Sequence, residues 1–190
     1  MRLQGKCAIV TGAGSGFGRA MALTFAAEGA KVFAVDRDEA AAQQVTAEIN
    51  DNKHQAESFC CDVTDAEKVK EMVATCISKL GGLDIIVNNA GYTHASQPLD
   101  QVTEDDYDRV MNVNLKSIYY STLEVVPHFR KQGGGVILNT ASTAGLRPRP
   151  GMSWYNASKG AVITLTKSMG VELAADKIRA NCVCPVAANT

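Results

Sequence analysis

Short apolar runs alternate along the chain with longer stretches in which apolar residues recur every three or four positions. The runs Cys7–Val10, Val32–Val35, Ser58–Cys61, Ile85–Val87, Val136–Asn139 and Ile178–Val183 have the length and composition of strands. Between them, helical periodicity covers Gly18–Glu28, Glu39–Asn50, Ala66–Leu80, Glu104–Lys131 and Trp154–Ala175. Thr64 and Glu67 stand at the spacing of a capping box ahead of the third helix. The strand candidates are nearly continuous in apolar character rather than alternating, as expected when helices cover both faces of a parallel sheet. The pattern therefore predicts an α/β fold, a doubly wound parallel sheet with helices on both faces. With no repeat, low-complexity tract or linker, residues 1–190 are expected to form one domain, and Gly133–Gly135 is a turn within it.

Charge and cysteine content narrow the partners. With 19 basic and 20 acidic residues the net charge is -1, so no field gathers nucleic acid or an anionic membrane. The first residues lack the uninterrupted apolar core of a secretion signal, and no run reaches the roughly eighteen apolar residues of a membrane span, so a soluble, cytoplasmic protein is expected. Six cysteines form neither a CxxC pair nor a Cys/His cluster of zinc spacing, and are expected to be reduced core thiols with no metal site. Neighbouring side chains of a strand point to opposite faces, which argues against a bond between Cys60 and Cys61.

The first chemical signal follows the first strand, where Thr11-Gly12-Ala13-Gly14-Ser15-Gly16-Phe17-Gly18 leads into a helix. Such a turn lets backbone N–H groups approach a pyrophosphate without Cβ atoms in the way, and the helix N-terminus adds partial positive charge. Gly12, Ser15, Gly16, Phe17 and Gly18 are the expected phosphate-side contacts. Asp36 ends the second strand, where an acid can hydrogen-bond the ribose hydroxyls and repel a 2′-phosphate. NAD is therefore favoured, with NADP open if Arg37 supports a phosphate instead.

Tyr155 precedes Lys159 by four residues at the start of a helix, so the ammonium shares a face with the phenol. That spacing is common by chance. Ser142 closes the fifth strand and Asn88-Asn89-Ala90-Gly91 closes the fourth, at the carboxyl ends where open α/β sheets hold ligands. Asn114 is a poor helix former in an otherwise apolar stretch.

In this order, TGxxxGxG, NNAG, a mid-helix Asn, a Ser and YxxxK resemble the short-chain dehydrogenase/reductase family, over the span from Lys6 to Thr190. The resemblance implies a catalytic set of Asn114, Ser142, Tyr155 and Lys159. It also implies Asp62 and Val63 near the adenine, and Asn88, Ala90 and Gly91 along the cofactor. Pro185 and Val186, with Thr190, are expected beside the nicotinamide. Tyr155 is the expected acid/base, since hydride transfer at carbon requires proton transfer at oxygen. A free phenol ionises near pH ~10, so a cation such as Lys159 is needed beside it. Ser142 would bond the substrate oxygen, Asn114 would hold a water in the proton path, and Lys159 would also bind the nicotinamide ribose.

The expected substrate is an alcohol or carbonyl compound, with 3-oxoacyl-carrier-protein reductases and sugar or polyol dehydrogenases as resemblance neighbours. A non-catalytic dinucleotide sensor or inactive oligomer partner is the alternative. Family members commonly continue through a substrate lid and a further strand, so the chain is expected to be incomplete at its C-terminus, and Val186 stands where the family's NxVxP segment is usually followed by glycine. Ala157, Gly160 and Ala161 would permit close packing with a second long helix, which by resemblance implies a homodimer or homotetramer.

Overall fold

Apolar side chains on both faces of nearly every strand leave each strand stable only between two helical layers. The computed structural model, which describes residues 1–186, has that architecture. Strands β1 (Cys7–Thr11), β2 (Lys31–Asp36), β3 (Ala56–Cys60), β4 (Ile85–Asn88), β5 (Gly135–Thr140) and β6 (Ile178–Val183) form one sheet in the order β3-β2-β1-β4-β5-β6. All pairings are parallel, with Val10 opposite Ala34 on one side and Val87 on the other. The doubly wound parallel fold predicted from the sequence is thus observed.

Helices α1 (Gly16–Ala27) and α2 (Glu39–Asp51) cover one face, burying Ala22, Ala26, Val45 and Ile49 against Ala8, Val10, Val32 and Ala34. Helices α3 (Ala66–Leu80), α4 (Glu104–Met111), α5 (Ser117–Gln132) and α6 (Ser153–Glu172) lie on the other side, where Met72, Phe129 and Val162 pack with Ile9, Phe33 and Ile137. The strand order reverses between β1 and β4, which opens a crevice at their carboxyl ends. Among the described residues no helix is long and apolar enough to cross a membrane.

Three local expectations change. The third strand begins at Ala56 rather than Ser58, because pairing with β2 starts at Val32 opposite Ala56. Helix α3 is capped by Asp65, whose carboxylate accepts from Glu67 N and Lys68 N, so the Thr64–Glu67 box does not form. The long helix expected over Glu104–Lys131 is interrupted by a wide π turn at Asn112–Lys116. Of the six cysteines expected in the core, Cys7, Cys61 and Cys76 are buried thiols, Cys182 and Cys184 are half-buried, and Cys60, at the end of edge strand β3, is exposed.

Candidate active site

A cleft of about 840 Å³ runs along the carboxyl ends of the strands. Its first wall is the turn between β1 and α1. Gly12 and Gly16 adopt positive φ there, and a Cβ on Gly18 would lie 1.9 Å from the Gly12 carbonyl oxygen. Only glycine lets α1 start so close to the turn. Ser15 caps α1 without a side-chain bond to the helix, leaving first-turn amides directed at the cleft. Gly12, Ser15, Gly16 and Phe17 line the cleft; Gly18 supports it from behind.

Asp36 carries the turn into the next strand. Its Oδ2 accepts the Gly14 N–H at 2.9 Å and its Oδ1 accepts the Asp38 N–H at 3.0 Å. A Cβ on Gly14 would fall 2.9 Å from that Oδ2, so this glycine gives the carboxylate its place. Arg37 is exposed beside it. Asp62 and Val63 line the same end, and Thr64 donates to Asp62 from both its N–H and its hydroxyl, holding the Asp62 carboxyl below the ordinary range. Free amides at a helix start, a glycine cradle that a Cβ would fill and a carboxylate at the adjacent strand end together fit a dinucleotide with its diphosphate on α1 and a ribose on Asp36.

Ser142, Tyr155 and Lys159 meet at the other end. Ser142 Oγ accepts the Ala144 N–H at 3.1 Å, a bond that uses the oxygen as acceptor and not the hydroxyl hydrogen. Tyr155 stands in the first turn of α6, and Lys159 Nζ lies 5.9 Å from its ring centroid. The Lys159 ammonium donates to the Thr140 carbonyl at 2.8 Å. Burial, with only 4% of the residue exposed, lowers the Lys159 pKa from 10.5 to about 8. Ala90, Gly91, Pro185 and Val186 line the cleft between the two ends, and Thr190 lies outside the described residues.

Two asparagines sit differently from expectation. Asn88 was expected along the cofactor, but its side chain is buried behind the cleft, donating to Asn139 Oδ1 and accepting from Ser121 Oγ, both at 2.9 Å. Its neighbour Asn89 lines the cleft and ties it together: Nδ2 donates to the Thr11 carbonyl at 3.0 Å, and Oδ1 accepts from the Thr140 hydroxyl at 3.2 Å. Asn114 lies in the π turn, and both its amide hydrogens are engaged, with the Tyr92 carbonyl and Ser158 Oγ at 2.9 Å each. Its Oδ1 accepts the Tyr92 N–H at 2.8 Å. The side chain thus clamps the segment after β4 to α6 rather than reaching into the cleft.

Sequence reasoning missed Asn89 as a cleft residue and the Thr140 carbonyl as the partner of Lys159. Because alternate residues of a strand face opposite ways, only one of Asn88 and Asn89 could face the cleft, a signal present in the NNAG segment.

Comparison with known proteins agrees with this geometry. The profile of the short chain dehydrogenase family matches residues 6–190. The chain is similar to the 4-formylbenzenesulfonate dehydrogenase of Comamonas testosteroni, with 45% identity over all of this chain and 75% of that protein. Among solved structures it resembles the NADH complex of 3-ketoacyl-(acyl-carrier-protein) reductase from Brucella melitensis, with TM-score 0.93 and 45% identity over 96% of this chain and 75% of that one. It also resembles an NAD+-bound xylitol dehydrogenase, with TM-score 0.94 and 36% identity over 97% of this chain and 71% of that one.

Proposed function

The chain belongs to the short-chain dehydrogenase family of dinucleotide-dependent oxidoreductases, and from that premise we propose that it interconverts an alcohol and a carbonyl compound using NAD(H), with Tyr155 as general acid/base. The observation that carries this reading is the convergence of Ser142, Tyr155 and Lys159 in the cleft that the glycine turn opens. A bound nicotinamide supplies or accepts the hydride at the substrate carbon.

In reduction the Tyr155 hydroxyl gives its proton to the substrate oxygen, and in oxidation its oxygen takes that proton back. Ser142, whose oxygen is occupied by the Ala144 N–H, donates to the same substrate oxygen and favours the charge that develops there. Lys159 spends one hydrogen on Thr140 and keeps two, for the nicotinamide ribose and for the electrostatic support of a negative oxygen on Tyr155. Asn114 acts as a positioning residue through Tyr92 and Ser158. A dinucleotide sensor has no use for these three polar side chains at the reacting end. Incubating the protein with NAD and a panel of primary and secondary alcohols should raise absorbance at the reduced-nicotinamide band; no change with any alcohol, or with NADH and the matching carbonyls, would sink the reading.

Asp36 sets the cofactor preference in the same proposal. Its carboxylate, held by Gly14 and Asp38, repels a phosphate on the 2′ oxygen, so NAD should bind at least ~10-fold more tightly than NADP, equivalent to about 1.4 kcal/mol. Calorimetry with both dinucleotides checks this, and Asp36→Ala should narrow the gap while Arg37 remains to meet the phosphate. The reverse order of affinities would overturn the assignment.

The same reading makes the chain a subunit of a homodimer or homotetramer assembled through the outer side of α5 and α6. Tyr119, Leu123 and Val171 are 55%, 52% and 82% exposed, and Ala161 lies with Met111 and Leu115 in a neighbouring apolar groove. Gly160, expected to contribute there, instead faces its own chain, since a Cβ on Gly145 would come within 2.7 Å of Gly160 N.

A further inference from the structure

The charged lining of the cleft is divided by strand position. Its acids, Asp36, Asp38 and Asp62, stand at or just beyond the ends of β2 and β3 with Arg37 among them and Arg109, over the Tyr92 ring, acting on Asp62, whereas Arg149 lies on the loop after β5. Three strand spacings separate β2 from β5, roughly 14 Å at the usual distance between strands. Attraction from those acids is largely screened at that range. Arg149 is exposed and takes part in no ion pair among the described residues. The other cation at this end, Lys159, is buried and already bonded to Thr140. The reacting end of the cleft therefore carries an uncompensated guanidinium and no lining carboxylate.

The backbone that carries this guanidinium is held in place. Arg149 lies between Pro148 and Pro150, and the following proline confines it to extended backbone. Its carbonyl accepts from Asn156 Nδ2 at 2.8 Å, and Asn156, itself buried, is the residue after Tyr155. On the far side the loop meets the segment after β4, where Gln97 N donates to the Gly151 carbonyl at 3.0 Å and Trp154 Nε1 donates to the Leu99 carbonyl at 3.2 Å. Gly151 takes positive φ to make that contact, and a Cβ there would lie 2.3 Å from Ser96 Oγ. Anchoring of this kind lowers the ordering cost when a ligand is bound.

From this arrangement we propose that Arg149 determines substrate specificity, selecting alcohols or carbonyl compounds that bear an oxyanion, a carboxylate or sulfonate, remote from the reacting carbon. A guanidinium meets such a group with two parallel N–H donors, fixing the substrate's orientation as well as its affinity. The proposal rests on the alcohol/carbonyl reading above. Asn156 is the positioning residue, bonding Arg149 to the turn that carries Tyr155.

The test compares kcat/KM for paired alcohols that differ in one group, such as 4-carboxybenzyl and 4-methylbenzyl alcohol, together with their aliphatic counterparts. The carboxylated member should be favoured at least ~10-fold, a preference that Arg149→Gln brings towards unity mainly through KM and that Arg149→Lys partly restores. Equal use of charged and neutral members by the unaltered protein, or an equal loss for both in Arg149→Gln, would overturn the role of Arg149. If no alcohol is oxidised while NADH still binds, as followed by its fluorescence, the oxidoreductase reading itself fails.

Discussion

Replacing Tyr155 with phenylalanine is expected to lower kcat by about 10³-fold, within the range that a positioned general acid/base contributes, while the dinucleotide dissociation constant changes by less than about twofold. The substitution removes one oxygen and little else. The Tyr155 hydroxyl has no hydrogen-bond partner among the described residues, so no buried group is left unsatisfied by its loss. The ring can keep its place in the first turn of α6, near the Lys159 ammonium. Ser142 retains its bond from Ala144, and the glycine turn lies at the other end of the cleft. A fall in kcat with unchanged dinucleotide affinity is therefore the signature of a lost proton transfer rather than of a damaged site. Steady-state kinetics and a NADH titration on the same preparation separate the two, and turnover within tenfold of the unaltered protein would remove Tyr155 from the role.

The fold and the site were legible to different depths, for physical reasons that individual residues show. Periodicity located all six strands, most sharply β1, β2 and β4 whose residues are nearly all buried, and the largest boundary shift, two residues, falls on β3, an edge strand with little apolar pattern to mark its start. That two-sided burial also hid the difference between Asn88 and Asn89. In β4, whose four residues are all buried, no polar face indicates which way a given side chain turns. Asn114 was visible as an anomaly in a helix but its partners were not, since Tyr92 lies 22 residues away and Ser158 44. A π turn widens the helix locally, a feature that the three- and four-residue spacing of apolar residues does not reveal. Glycines divide in the same way. Gly18 follows from the phosphate-loop pattern, whereas Gly160, expected to pack against a second long helix, lies against Gly145 of its own chain.

Lys159→Met is the companion experiment, and it should move activity and stability independently. Burial takes the Lys159 pKa from 10.5 to about 8, so at pH 7 about nine in ten molecules still carry the charge. In the proposed mechanism, removing it takes away both the support for a negative oxygen on Tyr155 and a ligand of the ribose. We expect kcat to fall about 10²- to 10³-fold and, unlike in Tyr155→Phe, dinucleotide affinity to weaken at least ~10-fold. The fold meanwhile bears the cost of a buried ammonium wherever both states are protonated, below pH 8. Between pH 8 and 10.5 the unfolded chain holds the proton more tightly than the folded one, so this cost is relieved and stability rises with pH, by up to about 3 kcal/mol. The methionine variant lacks that dependence. At pH 7 its stability should equal or exceed that of the unaltered protein, because the desolvation cost it removes is comparable to the Thr140 hydrogen bond it loses. Towards pH 10 the unaltered protein should gain on the variant. Urea unfolding of both proteins at pH 7 and pH 10 measures the difference directly, and a gap that moves the other way with pH would mean that Lys159 is not held as a strained buried cation.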